Sequence, residues 1–184
     1  FLAMKYNNGF EKESNSIKNT IKNKGFIHLR GTKNLTNKFG LEAFTQYEFN
    51  DFLYIASRIL LGSGIRMEIN HGKNSNSFIG IGLMKESENY SKNQEENTSL
   101  FRSTNYIKNN FKITQNLNIG NTCYIQIAMN DLNDYRILYD GEMNLAINEF
   151  LSFEFSINYR YDNMPHADLN NSYIQIGNGL TIKF

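Results

Sequence analysis

Along residues 151–162, Leu151, Phe153, Phe155, Ile157, Tyr159 and Tyr161 alternate with Ser152, Glu154, Ser156, Asn158, Arg160 and Asp162. Successive side chains of an extended backbone point to opposite sides, so this order makes a ribbon with one oily face and one polar face. The pattern recurs. Ile137, Tyr139, Met143, Leu145 and Ile147 oppose Arg136, Asp140, Glu142 and Asn144. Ile55, Ile59, Leu61, Ile65, Met67 and Ile69 oppose Arg58, Arg66 and Glu68, while Leu41, Tyr47 and Phe49 oppose Glu42, Gln46 and Glu48. Within each stretch the charges keep to a single parity, and a helical period would mix the two classes. The chain is therefore expected to be all-β, with strands that are dry on one side.

Strands are predicted near residues 25–33, 39–50, 55–69, 77–86, 100–114, 117–130, 135–147, 150–162 and 172–184, with a less defined first strand within 1–20. Clusters of Asn, Lys, Asp, Gly and Ser separate them, which gives about ten strands and no domain linker. One domain over residues 1–184 is the expected organisation. A soluble sandwich alternates in the same way. Three features favour an antiparallel up-and-down transmembrane barrel instead. Several strands span ~12 to 15 residues, beyond the usual ~5–6 and enough to cross a bilayer at a tilt. Phe39, Phe49, Tyr135, Tyr159, Tyr161 and Phe184 gather near strand ends, as interfacial girdles do. Short connections near 34–38, 115–116 and 148–149 alternate with long polar ones near 86–98 and 163–171. The loop near 51–53 and the turn near 71–77 break that alternation. In the last stretch Ile174, Ile176, Leu180, Ile182 and Phe184 share the apolar face, interrupted by Asn178. Many bacterial outer-membrane barrels finish on such a strand with a terminal Phe, so this one is read as barrel-terminal.

Charge is balanced, with 19 Lys+Arg against 18 Asp+Glu, so bulk attraction to nucleic acid is not expected. A mean hydropathy of -0.50 averages lipid-facing residues with lumen and loops, and no run of ~18 apolar residues marks a membrane helix. A single proline suits continuous ladders. Cys123 is the one cysteine and lies on an apolar face, where it reads as a small hydrophobe. The residues given begin without a recognisable signal peptide.

The segments Glu42-Ala43-Phe44-Thr45-Gln46 and Arg58 followed by Gly62, Gly64 and Arg66 resemble the salt-stress-induced outer-membrane protein family, a bacterial family of unknown function. Leu100 to Tyr106, Asp134-Tyr135-Arg136, and Tyr159-Arg160-Tyr161-Asp162 before Pro165 extend the resemblance. His166 departs from it, since a proline or small residue is expected there. The resemblance implies an outer-membrane barrel and brings no reaction or cofactor.

Arg30, Glu42, Gln46, Glu48, Arg58, Arg66, Glu68, Arg102, Arg136, Asp140, Glu142, Glu154, Arg160 and Asp162 are expected to line a lumen as a network of ion pairs, because desolvated charges require partners. A narrow small-solute channel and a catalytic cluster are the alternatives. Gly62, Gly64, Gly80 and Gly82 face the same way and read as room for large neighbours such as Phe44. His28 lies inward, His71 and His166 in turns, and no spacing supplies a metal site. The acidic stretch 86–98 reads as a solvated loop. The expected function is a non-enzymatic envelope protein, structural or accessory, without cofactor. Its expected partners are outer-membrane lipid and lipopolysaccharide, the barrel-assembly machinery and other outer-membrane subunits. A lipid-modifying enzyme using His28 and a soluble lipid-binding barrel with its apolar face inward remain competing readings.

Overall fold

Ten strands in chain order form one antiparallel sheet in a computed structural model, which describes residues 2–11, 19–92 and 97–182. They are β1 (Leu2–Glu11), β2 (Asn19–Asn34), β3 (Phe39–Asn50), β4 (Ile55–His71) and β5 (Ser75–Tyr90), then β6 (Thr98–Lys112), β7 (Leu117–Ala128), β8 (Tyr135–Ala146), β9 (Leu151–Asp162) and β10 (Ser172–Ile182). Each pairs with the next, an up-and-down meander curled so that one face is enclosed. Among the described residues no ladder joins β10 to β1. Inside the curl, the Lys24 ammonium of β2 donates to the Tyr173 hydroxyl at 3.2 Å and to the Gln175 side-chain carbonyl of β10. That bridge links the second strand to the last across the curl.

The apolar parity faces outward. Leu61 is 65% exposed, Ile81 66% and Leu180 66%, whereas Arg58, Arg102 and Arg136 are buried. This overturns the soluble lipid-binding reading, which needs the oily face inside. Aromatic residues mark both rims of the outer face, Tyr47, Phe101, Tyr135 and Tyr161 at one and Phe39, Phe111 and Phe150 at the other.

Connections 35–38, 72–74, 113–116 and 147–150 lie together at one end, while 51–54, 129–134, 163–171 and the described residues between β5 and β6 lie at the other. Three of the short turns share one local device. A side-chain oxygen accepts from the backbone two and three residues on: Thr36 from Lys38 and Phe39, Thr114 from Asn116 and Leu117, and Asn148 from Phe150 and Leu151. The expected break at 71–77 disappears, because β4 runs on to His71 and β5 starts at Ser75. The loop near 51–53 is short as expected, a 3-10 turn over Asp51–Leu53 closed by Tyr54 at φ 53.

Two boundaries differ in ways that matter. β5 continues past residue 86 to Tyr90. At the start of β4 the register gains one residue, with Ile55 opposite Tyr90 but Ser57 opposite Asn89. This bulge at Ala56 reverses the parity, so Ile55 points inward and is 2% exposed rather than joining the outer face.

Candidate functional site

The enclosed face is densely charged towards the long-loop end. β5 delivers Glu86 and Glu88, and three arginines from other strands converge on them. Arg58 of β4 donates to Glu86 at 2.5 Å and lies 3.0 Å from Glu88. Arg102 of β6 donates Nε to Glu86 at 2.7 Å and closes a two-pronged pair with Asp134 at 2.8 Å. Arg136 of β8 reaches both carboxylates at 3.0 Å and holds Asp162 of β9 through Nε at 2.7 Å. The Tyr90 hydroxyl donates to Glu88 at 2.6 Å, and Arg160 donates to Asp162 at 3.3 Å.

The layer continues sideways. Glu48 of β3 sits 3.4 Å from Arg58, accepts from Gln46, and Gln46 in turn contacts His28 of β2. Arginine suits this place because its planar fork meets several carboxylates at fixed angles. Glu86 is wholly buried and Glu88 almost so. Taking such ions out of water costs several kcal/mol each, which only multiple charge-assisted bonds offset. The result is a girdle of paired, buried charges contributed by β3, β4, β5, β6, β8 and β9.

Loops cover this layer. His166 stacks on Tyr90 with ring centroids 3.7 Å apart, and its Nε2 lies 2.7 Å from the Lys92 carbonyl. Lys92 holds Asp168 at 3.1 Å and lies over the Tyr54 ring. The cavity left beneath this clasp, between Ile55, Tyr90, Arg160 and Pro165, is about 30 Å³, space for one water.

Midway down, Glu42 forms a second layer. It accepts from the Tyr106 hydroxyl at 2.8 Å and lies 3.9 Å from Arg30 and 3.8 Å from Arg66. Arg30 lies over the rings of Phe44 and Tyr106. A side chain at Gly62 would overlap Phe44, and one at Gly80 would overlap Tyr106. These glycines make room for aromatic filling. Gly64 and Gly82 instead let the backbones of β4 and β5 approach closely.

Below this layer the lumen opens into a cup of about 350 Å³, walled by Asn76, Asn110, Asn118, Asn144, Glu142 and Lys112.

The family model described as "Protein of unknown function, DUF481" matches residues 2–184. The chain belongs to DUF481. No curated protein matches this DUF481 chain in sequence. In shape it is similar to a NanC porin solved in a rhombohedral crystal form, with a TM-score of 0.61 over 100% of this chain and 94% of that one. The two are 10% identical, so the likeness is one of fold.

The structure of this DUF481 protein gathers some of the candidate lumen residues and separates others. Gln46, Glu48, Arg58, Arg102, Arg136, Arg160 and Asp162 share the sealing layer, and Arg30, Glu42 and Arg66 the layer beneath. Glu68 pairs instead with His71 at 2.7 Å near a strand end. Asp140 accepts from Asn158, and Glu154 from Thr181, both exposed. Glu142 stands in the cup. Ile174, Ile176, Leu180 and Ile182 lie outward on β10, and Phe184 lies outside the described residues. His28 points into the lumen against Gln46 and Phe44, not onto the rim or lipid side that a lipid-modifying site requires.

Sequence reasoning misses the centre of the layer. The stretch from residue 86 reads as solvated loop, yet Glu86, Glu88 and Tyr90 are strand residues buried among arginines. The available signal is parity, since Gly80, Gly82, Met84, Glu86, Glu88 and Tyr90 continue one face. It is hidden because the opposite face turns from Ile81 and Leu83 to Lys85, Ser87 and Asn89, where the strand leaves the apolar belt. Asp134 figures in the family resemblance but not among the expected lumen residues, because it precedes its strand.

Proposed function

We propose that this protein is a non-enzymatic barrel of a bacterial outer membrane, a structural or accessory subunit of an envelope assembly, with its lumen closed to solutes. One observation carries the reading: a layer of buried, mutually paired charges spans the lumen inside a belt of exposed apolar side chains. A membrane barrel requires an uncharged outer face with its backbone bonded internally. The fold shared with a porin supports the membrane assignment. The short turns then face the periplasm and the long loops the exterior. Outer-membrane lipid and lipopolysaccharide surround the belt, the barrel-assembly machinery inserts the chain, and other outer-membrane subunits are its partners. The resemblance to salt-stress-induced outer-membrane proteins is the ground for a stress-related role.

The deciding experiment reconstitutes the protein in planar bilayers. The expected result is no steady conductance. Reproducible currents that saturate with a small solute would replace this reading with that of a channel. The membrane placement has its own test. Ile157→Arg, in the middle of the outer face of β9, should weaken folding into lipid vesicles by about 2–4 kcal/mol. Unchanged folding of that variant would refute it.

A further inference from the structure

The outer face is not uniform. On β9 it presents only Leu151, Phe153, Phe155, Ile157, Tyr159 and Tyr161. On β6 and β7 the same belt carries three amides, Asn105, Asn109 and Asn121. Asn105 is placed at mid-strand between Ile81 and Ile125, and Asn109 stands directly opposite Asn121. Another amide of the belt, Asn178, lies on the terminal strand β10.

These amides are weakly occupied among the described residues. Asn109 donates to Asn121 at 3.3 Å and Asn105 to Ser103 at 3.4 Å, both long for such bonds. An amide carries two donors and two acceptor sites, so one long bond leaves most of its capacity unmet. In hydrocarbon that deficit is costly, and polar side chains inside a membrane mark contacts with other polar groups.

We propose that the outer faces of β6 and β7 form a two-fold interface with a second copy of this chain inside the membrane. The inference rests on the membrane placement proposed above. A second copy suits the chemistry of the patch, because an amide is both donor and acceptor and so complements its own image across a two-fold axis. Nothing in the patch opposes that approach. The outward residues of β6 and β7 include no ionised side chain, so no like charges meet. Ile107, Ile125 and Ile127 frame the amides with apolar surface. A two-fold contact also closes on itself rather than growing into a fibre.

The test uses the full chain folded in lipid vesicles. Cys123 lies on this same face and is replaced first, as Cys123→Ser. Into that background go Asn105→Cys or, as a control three strands away on β9, Ile157→Cys. Oxidation should convert the Asn105→Cys protein to a disulfide-linked dimer while the Ile157→Cys protein stays monomeric. In the otherwise native chain, Asn121→Leu should weaken dimerisation about 3- to 20-fold, read as a shift in the monomer–dimer midpoint on dilution into excess lipid.

If both cysteine variants stay monomeric, and the Ile157→Cys thiol is shielded from a water-soluble maleimide, the interface is overturned and the membrane placement stands. Gain of folding stability in Asn121→Leu, without change in oligomeric state, would do the same. Rapid maleimide labelling of the Ile157→Cys protein would overturn the membrane placement, and the interface with it.

Discussion

The two halves of the lumen are built from the same strands and differ in almost every physical respect. Towards the long loops, Glu86, Glu88, Arg58, Arg102 and Arg136 are excluded from water and satisfy one another at 2.5–3.0 Å. Towards the short turns, Asp140, Glu142 and Glu154 are exposed, and the wall is made of asparagines. Both halves follow one alternation of polar and apolar residues. What separates them is arginine: its fork draws several carboxylates into one place, where lysine and asparagine leave a hydrated wall. Polarity of an inward face thus says little about whether a lumen is open.

The contrast breaks most sharply at Glu86. Glu86→Leu removes the buried carboxylate that three arginines share, and stability to urea in lipid or detergent should fall by about 3–5 kcal/mol. A loss below ~1 kcal/mol would mean the layer is hydrated like the cup. Gly80→Val comes next. The added side chain collides with the Tyr106 ring, and overpacking of this kind costs about 1–3 kcal/mol. A neutral result would show that the aromatic layer has room for the ring to swing aside. Glu142→Gln, in the open half, should change stability by no more than ~0.5 kcal/mol. A large loss there would erase the difference between the halves.

The smallest effect belongs to the clasp. The hydrogen bond from Lys92 to Asp168 raises the lysine pKa. A raised folded-state value makes the contact favourable below the ordinary lysine range, and the contribution disappears as pH climbs through the raised value. At neutral pH, Lys92→Ala should leave global stability unchanged while chymotrypsin cuts faster after Leu169. Equal cutting rates would show that the loop is held without the Lys92 side chain.

Parity makes most of the architecture legible. Ile157, Ile176 and Leu61 declare an outer face because their neighbours in sequence are polar, and the bounds of residues 39–50 follow on that ground alone. The failures share a cause. Ile55 reads as outward because a one-residue bulge leaves no mark in an alternation. Glu86 and Glu88 read as loop because parity is sought in apolar residues, and β5 extends past the level where its outer face is apolar. Arg58 and Arg136 are legible as inward. Their partners are not, since Arg136 and Glu86 sit on strands three apart, and sequence order does not reveal which residues meet across a curl.

That separation has a consequence for assembly. The neutralising contacts of Arg136 join β8 to β5 and to β9, and those of Arg58 join β4 to β5 and to β3. None of the longer ones exists in a flat ribbon. A half-rolled sheet lacks the links from Arg136 to Glu86 and Glu88, so those charges stay in water until the curl brings them together. Charge cancellation arrives with rolling, as a latch that engages last.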